Sequence, residues 1–254
     1  MKQIDLNCDM GESFGAWKMG DDENVLRYIS SANVACGFHG GDPRVMLETV
    51  VRAKELGVAV GAHPGFQDLV GFGRRNIDVT AEQARTDVLY QIGALSGFCR
   101  RLGIPLQHVK PHGQLNNMAM SDAVLAEAIV LGIKDFDPNL LVVAYGGELA
   151  RAAEKHGMRL AHEAFADREY HANGTLVSRR VTGAVITDPS RVVERAIQMV
   201  EESAVQTVEG TRLHLTIDTL CVHGDTPGAA GLAEKLRQGL RDAGIEVKAM
   251  GTVA

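Results

Sequence analysis

Short apolar segments alternate with longer segments of helical periodicity along the chain. The apolar segments have the length of buried β-strands, and the segments between them repeat apolar residues every three to four positions. The predicted strands, in chain order, are "IDLNC", "SANVAC", "VAVGAH", "LQHVK", "LLVVAY", "RLAHEAFA" and "LHLTIDTLCVH". Regular alternation of this kind predicts parallel strands joined by right-handed crossovers.

Residues typical of helix ends mark several of the predicted helices. Asp42 and Pro43 suit the N-cap and the first position of a helix that Gly57 ends. Thr80 and Gln83 have the spacing of a capping box, at the start of a helix that continues to about Gly103. Further helices are predicted to begin at Ser121, at Asp188–Pro189 and at Thr226–Pro227.

The seven strand–helix units predict one domain over residues 1–254, since no linker or low-complexity segment interrupts them. The predicted fold class is α/β, a single-domain seven-stranded (β/α) barrel like the TIM barrel. A doubly wound sheet is disfavoured, because the G-x-G-x-x-G fingerprint and the P-loop are both absent. "REYHANGTLVSRRVTGAVIT" predicts a short hairpin on the barrel rim, and "IEVKAM" predicts a final edge strand.

Composition excludes several classes of partner. The 254 residues are 45% hydrophobic and carry a net charge of −6 with scattered basic residues, so nucleic acid is not expected to bind. No apolar run approaches the ~20 residues that cross a bilayer. The chain enters a strand-like segment without an apolar signal region, and its four cysteines form no CxxC pair. We therefore expect a cytoplasmic protein with reduced thiols.

Polar residues recur on one face of the predicted strands. In a (β/α) barrel the active site lies at the carboxyl ends of the strands, and alternate residues of a strand face the same side. Along each predicted strand and the first residues after it, we collected the polar side chains that fall on the same face. They are Asp5, Asn7, Asp9, Asn33, His39, His63, His108, Lys110, His112, Cys221 and His223. Burying such groups unpaired costs several kcal/mol each, so their convergence indicates a site.

We expect only some of these residues to form the candidate site. They are Asp9, His39, His63, Lys110, His112 and His223. A lone histidine is more often structural than catalytic, and this interpretation is kept for His108, His156, His162, His171 and His214.

Two arginine-containing segments could contribute to binding. "GFGRR" presents Arg74 and Arg75, whose guanidinium groups suit a carboxylate or phosphate. Asp167 and Arg168 follow the sixth strand, and the alternative for these charges is a salt bridge on the rim. A divalent metal is compatible with Asp9, His39 and His63, although no HExxH spacing supports it.

Several long motifs in fixed order resemble one family. These motifs are "DLNCDMGE", "ANVACGFHGGDP", "GAHPGFQDLVGFGRR", "VKPHGQLNN", "EAFADREY", "GTLVSRRVTGAVI" and "CVHGDTPGA". They resemble the LamB/YcsF family over nearly the whole chain. The resemblance implies a seven-stranded barrel of the glycoside hydrolase and polysaccharide deacetylase type. It also implies hydrolysis of 5-oxo-L-proline to L-glutamate coupled to hydrolysis of ATP, with Mg²⁺, in a complex with two further subunits, B and C.

The convergence of these side chains on one face motivates hypotheses about residue roles. Asp9 or Glu12 is expected to be the general base for water, and Lys110 and His112 to stabilise charge on the lactam oxygen. His39, His63 and His223 would orient groups or act as acids. The residues expected to bind substrate or phosphate are Asn7, Arg74, Arg75, Asp167, Arg168 and Asp225. The sequence departs from the family pattern at Gln114 and Asn116, which could line the pocket.

Two other classes of function stay open on the sequence. One is a stand-alone metal-dependent amidohydrolase or deacetylase acting on a small amide or lactam. The other is a non-catalytic subunit that binds 5-oxoproline or organises subunits B and C. The position of ATP and the oligomeric state, including a homo-oligomer, are not determined by the sequence.

Overall fold

The computed structural model describes residues 2–223 and 228–251. The strands in these residues are β1 (Lys2–Met10), β2 (Ser31–Ala35), β3 (Ala59–His63), β4 (Leu106–Val109), β5 (Leu141–Ala144), β6 (Arg159–Ala164), β7 (Ala204–Gln206), β8 (Arg212–His214), β9 (Thr219–Val222) and β10 (Ile245–Val247). The helices are α1 (Asp22–Val25), α2 (Pro43–Leu56), α3 (Ala81–Leu102), α4 (Gly113–Ala119), α5 (Ala123–Phe136), α6 (Gly147–Lys155), α7 (Pro189–Glu202) and α8 (Ala229–Asp242).

Seven parallel strands close into a barrel. Their order is β1-β2-β3-β4-β5-β6-β9, and β9 pairs with both β6 and β1 to complete the ring. The eighth parallel strand, β10, pairs with the start of β1, where Lys2 faces Ile245. The predictions of a seven-stranded (β/α) barrel and of a final edge strand are therefore confirmed.

The helix ends follow the predicted local chemistry. The Asp42 side chain accepts hydrogen bonds from the first turn of α2, and Gly57 ends that helix in the left-handed conformation. Thr80 and Gln83 form the capping box of α3. The Asp188 carboxylate caps α7, with Pro189 at its first position. Thr226 and Pro227, predicted to open the last helix, lie outside the described residues.

Two local predictions were wrong. The segment predicted as one long seventh strand divides, because β8 pairs antiparallel with β7 instead of joining the barrel. The chain enters the barrel at Asp218, whose backbone N–H donates to His162 O and whose carbonyl accepts from Asp5 N. No helix was predicted between the strand that ends at Lys110 and the helix beginning at Ser121, but the segment after His112 forms α4.

The barrel has an apolar outside and a polar inside. Leu6, Cys8 and Met10 face the helices in the main hydrophobic core and are fully buried. The alternate residues Asp5 and Asn7 are equally buried but point inward. Asp5 accepts hydrogen bonds from the hydroxyls of Ser30, Ser31 and Thr219. Burial raises the pKa of the Asp5 carboxyl.

The C-terminal segment closes the barrel floor. Met250 packs with Leu141, Val143 and Ala161 in a small apolar cluster of its own. Its carbonyl accepts a hydrogen bond of 2.7 Å from the Gln107 side chain at the start of β4. Among the described residues, the polar interior is therefore covered at the amino ends of the strands, and the cavity described below lies at their carboxyl ends.

The described chain contains no helix with the length and apolar character needed to cross a membrane. Cys8, Cys36, Cys99 and Cys221 are all buried free thiols.

Candidate active site

A cavity of about 350 Å³ opens at the carboxyl ends of the barrel strands. Its size is within the range of small-molecule sites, and this end of a (β/α) barrel is where active sites are built. The charged and imidazole side chains that line it are Asp9, Glu12, His63, Arg74, Lys110, His112, Glu163, Arg168, Arg179 and His223.

Lys110 projects from the end of β4 into the base of the cavity. Its Nζ lies 3.0 Å from Asp9 Oδ1 and 2.7 Å from Glu163 Oε1, and it also donates to Asn7 Oδ1 at 3.2 Å. Burial alone would lower the pKa of Lys110, but Asp9 and Glu163 hold it well above its ordinary value. The site therefore contains a fixed ammonium between two carboxylates.

The first carboxylate, Asp9, is also held in its ionised form. Burial would raise its pKa, but His63 and Lys110 bring it well below the ordinary value. Asn33 donates to Asp9 Oδ1 at 2.8 Å, which orients the group. The neighbouring Cys221 thiol, 3.2 Å from Lys110 Nζ, stays protonated because burial raises its pKa.

Three imidazoles and a carboxylate meet beside Lys110. His63 Nε2 lies 3.0 Å from His112 Nδ1, and Glu12 Oε1 lies 3.2 Å from His39 Nε2. The rings of His39 and His112 are parallel, with centroids 3.6 Å apart. Burial lowers the pKa of His112 to about 3 and that of His39 well below its ordinary value, with His63 and His112 as further causes. These two rings are therefore neutral at physiological pH.

The "GFGRR" loop folds over these histidines. The Phe72 carbonyl lies 2.8 Å from His112 Nε2, and the Gly73 carbonyl accepts from Gln114 N at 2.9 Å. Gly113, with φ of 50°, packs so closely on this loop that a Cβ there would lie 2.8 Å from Gly73 O. A glycine is required at position 113 for both reasons.

A chain of three side chains forms the opposite wall. His223 Nδ1 lies 2.6 Å from Asp167 Oδ2, and the guanidinium of Arg179 lies 2.8 Å from His223 Nε2. Burial would raise the pKa of Asp167, but His223 holds it below its ordinary value. Arg168 is buried next to them and donates to Val177 O at 2.7 Å.

Most of the residues predicted from the sequence come together. Those that line the cavity are Asp9, Glu12, His63, Arg74, Lys110, His112, Arg168 and His223, along with Gln114 and Asn116. Three others stand behind them: Asn7 contacts Lys110, His39 contacts Glu12, and Asp167 contacts His223. Asp225 lies outside the described residues.

The structure does not bring Arg75 into the cavity. Its guanidinium forms an ion pair with the buried Asp68, and its side chain is mostly exposed. Arg75 therefore fixes the loop, and its neighbour Arg74 enters the cavity.

Glu163 and Arg179 were missed by the sequence analysis. Glu163 stands two residues before Phe165 and four before Asp167, so strand alternation places all three on one face. That alternation was the available signal. Arg179 comes from the irregular segment after β6, where no periodicity indicates direction.

One group of side chains could hold a metal ion. Glu12, His39, His63 and His112 each offer a ligand atom, and these atoms lie within 4.8 Å of one another. The sequence analysis expected Asp9, His39 and His63 to be the ligands. The structure keeps His39 and His63 in the group and places Glu12 and His112 there instead of Asp9. Imidazole nitrogens with one carboxylate suit zinc and related divalent ions.

The fold and the site together define a (β/α) barrel protein with a polar cavity that opens at the carboxyl ends of its strands and has the size of a small-molecule site. Residues 4–254 match the LamB/YcsF family. The chain belongs to the LamB/YcsF family.

Relatives match the chain over nearly their whole length. A protein of Natranaerobius thermophilus, named as the A subunit of 5-oxoprolinase, is 53% identical over 99% of this chain and 98% of its own. One of the same name from Bacillus licheniformis is 51% identical over 99% and 100%. A crystal structure of a lactam utilization protein from Thermus thermophilus is 48% identical, with a TM-score of 0.95, over 98% of this chain and 100% of that one.

Proposed function

We propose that this chain is the A subunit of an ATP-dependent 5-oxoprolinase, a hydrolase that opens 5-oxo-L-proline to L-glutamate. The observation that carries the proposal is the buried Lys110 ammonium between Asp9 and Glu163 at the base of the cavity. Such a fixed charge can stabilise negative charge that develops on a lactam oxygen. The names of the full-length relatives support the same substrate.

The reaction needs an activated amide. ATP transfers its γ-phosphoryl group to the lactam oxygen, which gives a phosphorylated imidate and ADP. Water adds to the ring carbon, the carbon–nitrogen bond breaks as nitrogen is protonated, and γ-glutamyl phosphate forms. A second water releases phosphate and L-glutamate. Asp9 or Glu12 removes the proton from the attacking water, while Lys110 and His112 face the oxygen.

Arginines around the cavity suit the substrate carboxylate. Arg74, Arg168 and Arg179 line the cavity, and a guanidinium can hold a carboxylate or phosphate through two parallel hydrogen bonds. His223 faces Arg179 and so orients it. We assign carboxylate binding to these three residues, with Arg75 as a loop-fixing residue.

Subunits B and C complete the enzyme. The chain has no P-loop, so we propose that ATP and Mg²⁺ are bound with the help of these partners at the mouth of the barrel. We place the complex in the cytoplasm, where ATP is available and four free cysteines stay reduced.

The test is 5-oxoproline-dependent release of ADP, measured with this chain alone and after subunits B and C are added. We expect ADP release only when this chain is combined with subunits B and C. Lys110→Arg in that complex should abolish ADP release, because arginine keeps the charge but moves it. His171→Gln, which changes an exposed His–Glu pair, should leave it unchanged. ADP release at the wild-type rate by the Lys110→Arg complex would contradict the proposal.

A second candidate function is favoured by the group of Glu12, His39, His63 and His112. These residues suit a metal-dependent amidohydrolase that needs neither ATP nor partners. Lactam hydrolysis by the chain alone, lost on treatment with a chelator, would establish it and replace the ATP-dependent reaction.

A further inference from the structure

We propose that Glu12, His39, His63 and His112 bind one divalent transition-metal ion of the zinc class. The site borders the cavity of the proposed 5-oxoprolinase and deepens that function, but metal binding itself does not depend on the reaction. Two features support the site: which ring nitrogens carry protons, and how the ligand atoms are spaced.

Backbone carbonyls fix the protonation of two rings. His63 Nδ1 lies 2.6 Å from Lys110 O, and His112 Nε2 lies 2.8 Å from Phe72 O. A carbonyl oxygen only accepts hydrogen bonds, so each of these nitrogens carries the proton. The nitrogens that remain to bind an ion are therefore His63 Nε2 and His112 Nδ1.

These two nitrogens face each other at a distance of 3.0 Å. Further acceptor atoms adjoin them: Glu12 Oε1 is 3.5 Å from His112 Nδ1, and Asp9 Oδ2 is 3.3 Å from His63 Nε2. One shared proton would satisfy a single pair of these atoms. A cation at their centre would satisfy all of them at once.

The spacing suits a small tetrahedral ion. In a tetrahedral site, zinc–ligand bonds of roughly 2.0–2.2 Å place neighbouring ligand atoms about 3.3–3.6 Å apart. The observed separations are 3.0 Å between His63 and His112, 3.5 Å between His112 and Glu12, and 3.2 Å between Glu12 and His39. The remaining separations are within 4.8 Å.

The rings are held in place before any ion arrives. A Cβ at Gly65 would lie 2.6 Å from His39 Nδ1, and a Cβ at Gly73 would lie 2.8 Å from the His112 ring. Metal-binding histidines commonly donate their second N–H to a carbonyl, as His63 and His112 do here. His39 Nδ1 is buried without a hydrogen-bond partner among the described residues, so His39 is the least supported ligand.

The donor set indicates the kind of ion. Three imidazoles and one carboxylate suit Zn²⁺, Co²⁺, Fe²⁺ or Mn²⁺, whereas Mg²⁺ prefers oxygen ligands alone. An ion here would polarise a bound carbonyl or lower the pKa of a bound water. Asp9, next to His63, is placed to take a proton from such a water.

The experiment uses the full chain without partners or substrate. Metal-free protein is titrated with Zn²⁺ by calorimetry and with Co²⁺ by visible absorption, and bound metal is counted by mass spectrometry. We expect one ion per chain and the intense visible band of a four- or five-coordinate Co²⁺ site. Loss of even an outer-shell partner weakens a metal site about 10–100-fold, so His112→Gln and Glu12→Gln should each weaken binding by at least about 100-fold.

Matched controls separate a built site from surface binding. His171→Gln and His156→Gln each remove a histidine that pairs with a glutamate outside the cluster, and both should bind like wild type. Circular dichroism verifies the fold of His112→Gln, and the conservative Glu12→Gln serves as a second variant. Binding that is absent, or that both cluster variants retain, would overturn the metal site and leave a proton shared between His63 and His112. Neither result alters the partner-dependent ADP assay, so the two proposals fail separately.

Discussion

Charge, and not apolar packing, fixes the position of Lys110. Its ammonium lies between Asp9 and Glu163, and the aliphatic part of its side chain is enclosed by the barrel. The two ion pairs that hold the ammonium in the cavity also contribute to the stability of the fold. Its catalytic role and its structural role can be separated by measuring stability independently of turnover.

We predict that Lys110→Met lowers the free energy of unfolding by about 3–5 kcal/mol, because it removes the cation from the buried Glu163 carboxylate and from the partly buried Asp9. Urea denaturation followed by circular dichroism measures the change. Adding Glu163→Gln to Lys110→Met should recover part of the loss, since one charge is removed. Lys155→Met, which breaks a surface pair with Glu127, should change stability by less than about 0.5 kcal/mol. Equal effects of Lys110→Met and Lys155→Met would contradict this view of the site.

In helices α3 and α5, the position of a glycine decides whether it helps the helices to pack or only weakens its own helix. Gly93 and Gly97 lie on the exposed side of α3, where a Cβ would meet nothing within 4 Å. Gly132 lies on α5 against α3, where a Cβ would be 2.6 Å from Arg85 O. The glycine of α5 permits close helix packing, whereas those of α3 only weaken the helix.

Gly93→Ala should therefore raise the free energy of unfolding by roughly 0.5–1 kcal/mol. Gly132→Ala should lower it by about 1–3 kcal/mol, because the new methyl group collides with backbone. Thermal and urea denaturation of the two variants provide the comparison. Shifts of the same sign would show that helix packing does not distinguish these glycines.

Element order and strand alternation could be predicted because both follow from periodicity. Lys110 and His112 fall on one face of β4 and its exit by a spacing of two, and both line the cavity. Arg75 could not be placed, since its partner Asp68 is fixed by the fold of a loop. Glu163 stands in β6, and its importance depends on Lys110 at the end of another strand. Contacts between elements, unlike periodicity, leave no trace in local sequence.

For the whole molecule, closure of the ring joins two ends of the chain. β1 and β9 pair although Asp5 and Thr219 are 214 residues apart. The Thr219 hydroxyl accepts from Asn7 at 2.7 Å and donates to Asp5. This hydroxyl therefore links β9 to buried polar residues of β1, at the strand pair that closes the barrel.

Thr219→Val keeps the shape of the side chain and removes both hydrogen bonds. We predict a loss of about 1–3 kcal/mol in the free energy of unfolding, because Asp5 and Asn7 stay buried with fewer partners. Thr86→Val, on an exposed position of α3, is the control and should change stability by less than about 0.5 kcal/mol. The two substitutions are compared by urea denaturation. A Thr219→Val protein as stable as wild type would refute a stabilising role for the hydrogen bonds between β9 and β1.

The floor of the barrel has a consequence for the order of events in turnover. Met250 and its neighbours cover the amino ends of the strands, so molecules reach Lys110 through the mouth. Under the proposed function, glutamate leaves by the route that 5-oxoproline uses to enter. A partner that covers the mouth to exclude bulk water during phosphoryl transfer also blocks that exit. With such a partner in place, departure of the product would have to wait until the mouth is uncovered, and the rate of uncovering would limit turnover.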